Sequence, residues 1–445
     1  MGMDKLRFEQ MLEQKDLMRL KAELLEYQTP DIAAFIDQLE SKTALVVFRL
    51  LPKELAVEVF SYLDSQTQAN ISQLVNEDEL KEILDELFFD DMIDALEEMP
   101  ANVVKKILQN TTETKRSLIN QFLNYPDNSV GSIMTIEFVD LKKEMTAGEA
   151  LAKIRRIALE KETIYTCYVM DGERHLEGIV SLKDLVISDP EQKISEIMLQ
   201  DIVSVTTLDS DEEAAALMQK YNLLALPVVD HENRLVGIVT VDDVMDALEE
   251  AVTEDIHKMA TVGELNTSVL NAKPWMLLKS RLPWLLVLVF VNVLSGAGMA
   301  YFEDTIQSIV ALVFFLPLLI DSAGNAGAQS SALIIRSMAV GDIDIGDWAK
   351  LLRKELTVAI PLGLLLGLAS YCIGFIRADL GVALVVALSM AVVVLMGSLV
   401  GLLLPFLLKK LKLDPAIASG PLVTSIADIM GVMIYFSIAT WYFGL

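Results

Sequence analysis

Cysteine is almost missing from this chain: two in 445 residues, Cys167 and Cys372. That excludes a disulfide framework and a metal–thiolate cage. Histidine is nearly as scarce, and His175, His231 and His257 stand far apart, as surface or loop residues do. No Ser/His/Asp set, HExxH, P-loop or CxxC pattern is present, so an enzyme is not expected. Positive charge is also in short supply. Against 63 acidic residues there are 36 basic ones, a net charge of −27. A field of that sign repels nucleic acid and anionic lipid and attracts cations, so nucleic acid is not an expected partner. The first residues, MGMDKLRFEQ, have no apolar signal core, so membrane insertion is expected from later segments.

What is present is unevenly spread. Residues 1–270 carry 53 acidic and 25 basic side chains, whereas residues 271–445 carry 10 and 11. An acidic soluble part therefore precedes a membrane part. Residues 1–128 read as an all-α domain, because apolar residues recur at three and four in Asp78–Glu98 and Ala101–Leu108. Breaks are expected at Pro30, Pro52, Pro100 and Pro126.

An internal duplication follows. Gly178-Ile179-Val180-Ser181-Leu182-Lys183-Asp184 matches Gly237-Ile238-Val239-Thr240-Val241-Asp242-Asp243, 59 residues later. Each copy follows a β-branched strand (Tyr165–Met170; Pro227–Asp230), and each half opens with a helix (Ala147–Glu160; Asp211–Tyr221). This order resembles a tandem pair of CBS domains, which implies an α/β module over residues 129–250. In that family the aspartate closing the motif often meets a ribose, which here falls on Asp184 and Asp243. The alternative is that both merely stabilise helix N-termini. A charged connecting helix, Val244–Leu270, leads to the bilayer, where Trp275, Lys279, Arg281, Pro283 and Trp284 read as an interfacial anchor.

Five apolar stretches then have the length of a membrane span. They are Trp284–Tyr301, Ile306–Val340, Leu356–Ile376, Leu380–Leu408 and Ala416–Phe443. The second and fourth are longer than needed, so tilt or a break is expected. Basic residues crowd two connections (Lys350, Arg353 and Lys354; Lys409, Lys410 and Lys412), while the other two hold only Arg377. The positive-inside bias then puts the N-terminal part in the cytosol and the C-terminus outside. All four tryptophans fall near span ends.

Asp428 is the one charged residue of the last span. A carboxylate at mid-membrane depth costs roughly 2.5–3.5 kcal/mol and marks an ion or proton path more often than packing. Two copies of Asp428 about a two-fold axis, with Thr424 one turn earlier, would face one hydrated divalent ion. Pro317, Gly324, Gly327, Gly420, Pro421 and Gly431 are expected to bend helices or let them approach closely. Gly420-Pro421 in particular is expected to free a backbone carbonyl. Asp321 sits near a half-helix end or pairs with Arg336; the sequence leaves both open.

With the segments GNAG and DPAIASGPLVTSIAD in place, the whole chain resembles an MgtE magnesium transporter. The resemblance implies four parts: an all-α N-terminal domain (1–128), the tandem CBS domains (129–250), a connecting or plug helix (251–270) and an all-α domain of five transmembrane helices (271–445). It implies a Mg²⁺-selective channel, homodimeric, in lipid of the bacterial inner membrane, closed by cytosolic Mg²⁺. The family's pore aspartate falls on Asp428. Its regulatory carboxylates fall on Glu58, Asp90, Asp94, Glu212, Asp243, Asp246, Glu254, Asp255 and Asp414. Ser210, Asn222 and Ala251 stand where relatives carry acids. The family's CBS pair can bind ATP. The alternatives carried alongside are a cation-coupled divalent exchanger using Asp321 and a membrane-anchored nucleotide sensor.

Overall fold

The computed structural model describes residues 5–14, 16–97, 99–109, 111–263, 269, 272–339 and 341–445. The chain divides into two compact units, residues 1–250 and 251–445.

The first unit begins with short helices. The four prolines stand at the expected breaks between helices, and three of them start the helix that follows. Pro30 occupies the first turn of helix Thr29–Ile36, Pro52 stands just before Lys53–Ser61, and Pro100 just before Ala101–Gln109. The pyrrolidine ring lacks the N–H that a first turn leaves unpaired in any case. Helices Ser65–Leu74 and Glu113–Phe122 are capped by Asp64 and Thr112, whose side chains accept from Thr67 N–H and Lys115 N–H. Phe48, Phe60, Phe89 and Phe122 are buried between these helices, each burial worth about 1.5–3 kcal/mol.

The duplicated motif folds into two matching three-stranded sheets. In the first, β1 (Val139–Leu141) pairs parallel with β2 (Thr166–Met170), which pairs antiparallel with β3 (Leu176–Ser181). In the second, β4 (Val205–Thr206), β5 (Ala225–Val229) and β6 (Leu235–Thr240) repeat that order and those directions. The two halves are also joined reciprocally. Leu176 N–H donates to the Asn233 carbonyl at 3.2 Å and Leu235 N–H to the Arg174 carbonyl at 2.9 Å. Arg174 and Asn233 both adopt positive φ, +70° and +62°. The pairs lie one repeat length apart, so the duplication in sequence becomes a pseudo-two-fold in space. The domain is the tandem CBS module.

The connecting helix is shorter than its charge pattern implies. It runs Val241–Met259, and Thr261 then takes the left-handed conformation at φ +57°. Of the rest of the expected helix, residues 264–268 and 270 lie outside the described residues. Polar periodicity carries no signal for a left-handed stop at a threonine, which is why the sequence reading overran.

Among the described residues, the second unit has five segments long and apolar enough to cross a membrane: Pro274–Tyr301, Val310–Ala339, Ile345–Arg377, Leu380–Lys410 and Gly420–Phe443. The second is broken, as its length implied: a 3₁₀ turn, Val310–Phe315, precedes helix Leu316–Ala339. The Tyr435 hydroxyl donates to the Leu312 carbonyl there, at 2.9 Å, so irregular backbone buried in protein keeps a partner. In contrast, Gly420-Pro421 does not break the fifth span. Ser419 caps that helix, accepting from Leu422 N–H, and Gly420 and Pro421 are its first two residues. No helical hydrogen bond is lost, because Pro421 stands where its missing N–H has no use.

Candidate metal centres and ion path

In the first unit, helix Phe89–Glu97 carries Asp90, Asp91 and Asp94, and the connecting helix carries Asp242, Asp243 and Asp246. Asp90 is buried, at 6 % exposure. Its carboxylate and those of Glu137 and Glu162 offer oxygens all within 4.8 Å of one another. Glu137 accepts from Phe89 N–H at 3.0 Å, which fixes it against the first turn of that helix. Glu162 N–H donates to the Glu137 carbonyl at 2.9 Å. The sequence reading found Asp90 but missed Glu137 and Glu162. They stand on connections of the first CBS half, and no spacing rule ties them to residue 90.

The electrostatics of this cluster are repulsive. Burial, then the charge of Asp243, pushes Glu162 up to about 8. Burial and neighbouring charge, Glu97 first, push Asp94 up to about 7, although its side chain reaches solvent at the edge of the cluster. Asp91 rises to about 6 through burial and Glu137. Asp90 is raised by burial and then by the charge of Asp243, and Asp243 is itself raised, chiefly by burial. Asp243 also accepts the Thr240 hydroxyl. Glu162 Oε2 is buried and meets no hydrogen-bond donor among the described residues. An orphaned carboxylate oxygen among like charges suits a divalent cation. In an octahedral Mg²⁺ site adjacent oxygens stand about 3 Å apart and only opposite ones about 4.2 Å, so a set spread over up to 4.8 Å must contract to hold one ion directly.

The other residues expected from sequence divide. Glu58 and Asp246 are exposed, but their charges reach the Tyr62 hydroxyl together with those of Asp91 and Asp242, which places them at the margin of the same cluster. Glu212 lies on the exposed first turn of helix Asp211–Tyr221 and is not one of the cluster carboxylates named above. Asp184 is held by its own helix: the Ser181 hydroxyl donates to its Oδ2 at 2.6 Å and accepts its N–H at 3.1 Å. The N-cap there is Ser181 rather than the aspartate. Asp243, its counterpart in the repeat, turns its charge toward the acidic cluster.

In the second unit, Glu254, Asp255 and Asp414 form a separate group. Lys258 Nζ lies 2.5 Å from Glu254 Oε1 and 2.7 Å from Asp414 Oδ2. Asp414 Oδ1 accepts Ala416 N–H at 2.8 Å. Burial, then the charge of Asp414, raises the Asp255 carboxyl.

Asp428 is half-buried on the fifth span, and its Oδ1 is buried without a hydrogen-bond partner among the described residues. Asp321 on the second span is near enough for its charge to act on Asp428. Asp321 is exposed and accepts from the Asn325 amide at 3.0 Å. Arg336 lies 15 residues further along the same helix, about 22 Å away, so the two do not pair. Asp321 keeps the other place expected for it, in the second turn after the break.

The small residues between these spans allow close approach. A Cβ on Gly324 would lie 2.8 Å from Thr424 Cγ2, and one on Gly327 would lie 2.7 Å from Val423 Cγ1 and 2.8 Å from the Gly397 carbonyl oxygen. These glycines seat the fifth span against the second, and Thr424 packs one turn before Asp428.

Sequence comparison agrees with this anatomy. Residues 316–438 match the family model MgtE, divalent cation transporter; residues 27–128 match the MgtE intracellular N domain; residues 130–189 and 194–250 match CBS domains. A magnesium transporter MgtE of Thermus thermophilus is 39 % identical over 436 residues, covering 96 % of both chains. The Bacillus subtilis magnesium transporter MgtE is 31 % identical, over 95 % of this chain and 96 % of its own. A crystal structure titled as the cytosolic domain of the Mg²⁺ channel MgtE in complex with ATP has a TM-score of 0.51 and 38 % identity. It matches over 54 % of this chain and 99 % of that one. The architecture is that of a membrane transporter with a helical N-terminal domain and a CBS pair. The chain belongs to the MgtE family of divalent cation transporters, a family of transporters and not of enzymes.

Proposed function

We propose that the chain is a Mg²⁺ channel of the bacterial inner membrane, working as a homodimer in four parts (1–128, 129–250, 251–270 and 271–445). Its N-terminus is cytosolic and its C-terminus lies outside. The observation that carries this reading is Asp428, a carboxylate inside the last apolar helix with a buried oxygen that no donor among the described residues satisfies. A hydrated divalent ion supplies what that oxygen lacks. Two such carboxylates about a dimer axis favour divalent over monovalent ions, because attraction scales with the ion's charge.

Closure by cytosolic Mg²⁺ follows from the acidic cluster. Asp90 on the helical bundle, Glu137 and Glu162 on the CBS pair and Asp243 on the connecting helix repel one another when close. A divalent ion among them turns repulsion into attraction, so it binds the compact arrangement better than the spread one. A ligand shifts an equilibrium by that difference in affinity alone. Glu58 and Asp94 on the helical bundle, Asp246, Glu254 and Asp255 on the connecting helix, and Asp414 before the fifth span extend the same logic, and Glu212 is the least supported member. Nucleotide binding at the CBS pair would use Asp184, which is already ordered by Ser181, more readily than Asp243.

Proteoliposome flux tests the transport step. Mg²⁺ entry with no imposed Na⁺ or proton gradient is expected. Entry that stops without such a gradient would instead support coupled exchange, with Asp321 as the coupling site.

A further inference from the structure

Lys258 is the one cation in the carboxylate group of Glu254, Asp255 and Asp414 among the described residues. Its ammonium bonds Glu254, one turn earlier on its own helix, and Asp414, 156 residues away. The same stretch is fastened twice more. Met259 packs on Ile335, Ala416 and Ala418, and the Ser331 hydroxyl donates to the Ala418 carbonyl at 2.7 Å. Asp414 opens the turn Pro415–Ile417 that leads into the fifth span at Gly420. The last turn of the connecting helix is therefore joined to the entrance of the span that carries Asp428, by the apolar packing of Met259 and by the side-chain cation of Lys258.

We propose that Lys258 is a tethered cation standing in the place a divalent ion takes among Glu254, Asp255 and Asp414, so that the ion binds there only by displacing it. This inference rests on the reading of those carboxylates as a closing site. Two consequences follow from charge alone. Without divalent ions, Lys258 keeps the helix on the loop, so the joint does not fall apart when the site is empty. With them, the ammonium competes, which raises the ion concentration needed for closure. A point charge on a flexible stem suits both roles, since it can leave its partners for solvent at small cost. Lys258 acts here as a positioning residue, because it touches the ligands and not the transported ion.

The test uses the full-length protein in detergent, with hydrogen–deuterium exchange of peptides covering residues 253–260 and 414–419 followed against MgCl₂. Wild type is expected to show slowed exchange with a defined half-point. Lys258→Gln should exchange faster without Mg²⁺ and reach half-protection at about two- to fivefold lower Mg²⁺, the upper part of the range for partly exposed charge pairs. Lys258→Arg should restore the wild-type half-point. Lys279→Gln, which removes one positive charge from the first span, should leave it unmoved. A half-point for Lys258→Gln equal to or above wild type overturns the inference, as does an equal shift in Lys279→Gln. If wild type itself shows no Mg²⁺-dependent protection of these peptides, the closing site fails and the competitor with it.

Discussion

Asp90 and Glu162, 72 residues apart in the chain, hold carboxylate oxygens within 4.8 Å of each other. One belongs to a helix of the N-terminal bundle and the other to the connection before β2. Carboxylates this close, one buried and one half-buried, are held together by the fold against the repulsion of their charged forms. That makes the pair a gauge of what the surrounding acids do.

The pH dependence has a definite sign. Glu162, Asp94 and Asp91 are raised to about 8, 7 and 6, so the folded cluster holds protons that an unfolded chain releases nearer pH 4. Stability of the metal-free protein is therefore highest at low pH within this range. It falls as pH climbs above about 4, where the unfolded chain releases those protons, and the fall tapers through the folded values of about 6 to 8 and levels above them. Thermal unfolding in EDTA should show it, at about 2–4 °C per kcal/mol for a unit of this size. Glu162→Gln should flatten the slope; a slope that stays as steep in that variant would remove Glu162 from the cluster's account.

Asp428→Ala should abolish Mg²⁺ uptake into proteoliposomes while expression and the thermal midpoint stay near wild type. The substitution takes away a buried unpaired oxygen, so no loss of stability is due. Uptake at the wild-type rate would place the ion path elsewhere.

Removing residues 1–128 should leave transport working but less inhibited by internal Mg²⁺, since Asp90, Asp91 and Asp94 leave with the bundle. The inhibition curve measured from inside-loaded vesicles is the check, and an unchanged half-inhibitory concentration counts against closure by the cluster.

Tyr435→Phe should destabilise the membrane unit by about 1–3 kcal/mol, the cost of a buried carbonyl left without its donor. The carbonyl concerned is that of Leu312, in the broken stretch of the second span. Detergent-solubilised protein with an unaltered unfolding midpoint would mean that another donor takes over.

Fold class and the order of parts were legible because they are written in local pattern. The repeat from Gly178 to Asp184 and from Gly237 to Asp243 announces the paired sheets, and apolar runs of span length announce the membrane helices. Asp428 was legible for the opposite reason, as one charge where charge is expensive. Gly420-Pro421 misled, because the same dipeptide kinks a helix from within and starts one cleanly; only the cap by Ser419 decides which. Glu137 and Glu162 were invisible, since their meeting with Asp90 depends on how the bundle lies on the first CBS half.

By itself, the sequence determined which segments are apolar, which are acidic and where a lone carboxylate interrupts lipid-like surroundings. Those are properties of composition and spacing. Tertiary structure alone decided which acids share a space, that Lys258 reaches Asp414, and that Tyr435 satisfies the Leu312 carbonyl. Coulomb forces and hydrogen bonds act over a few ångströms of space, and the chain brings distant residues to that range only once its helices and sheets have packed.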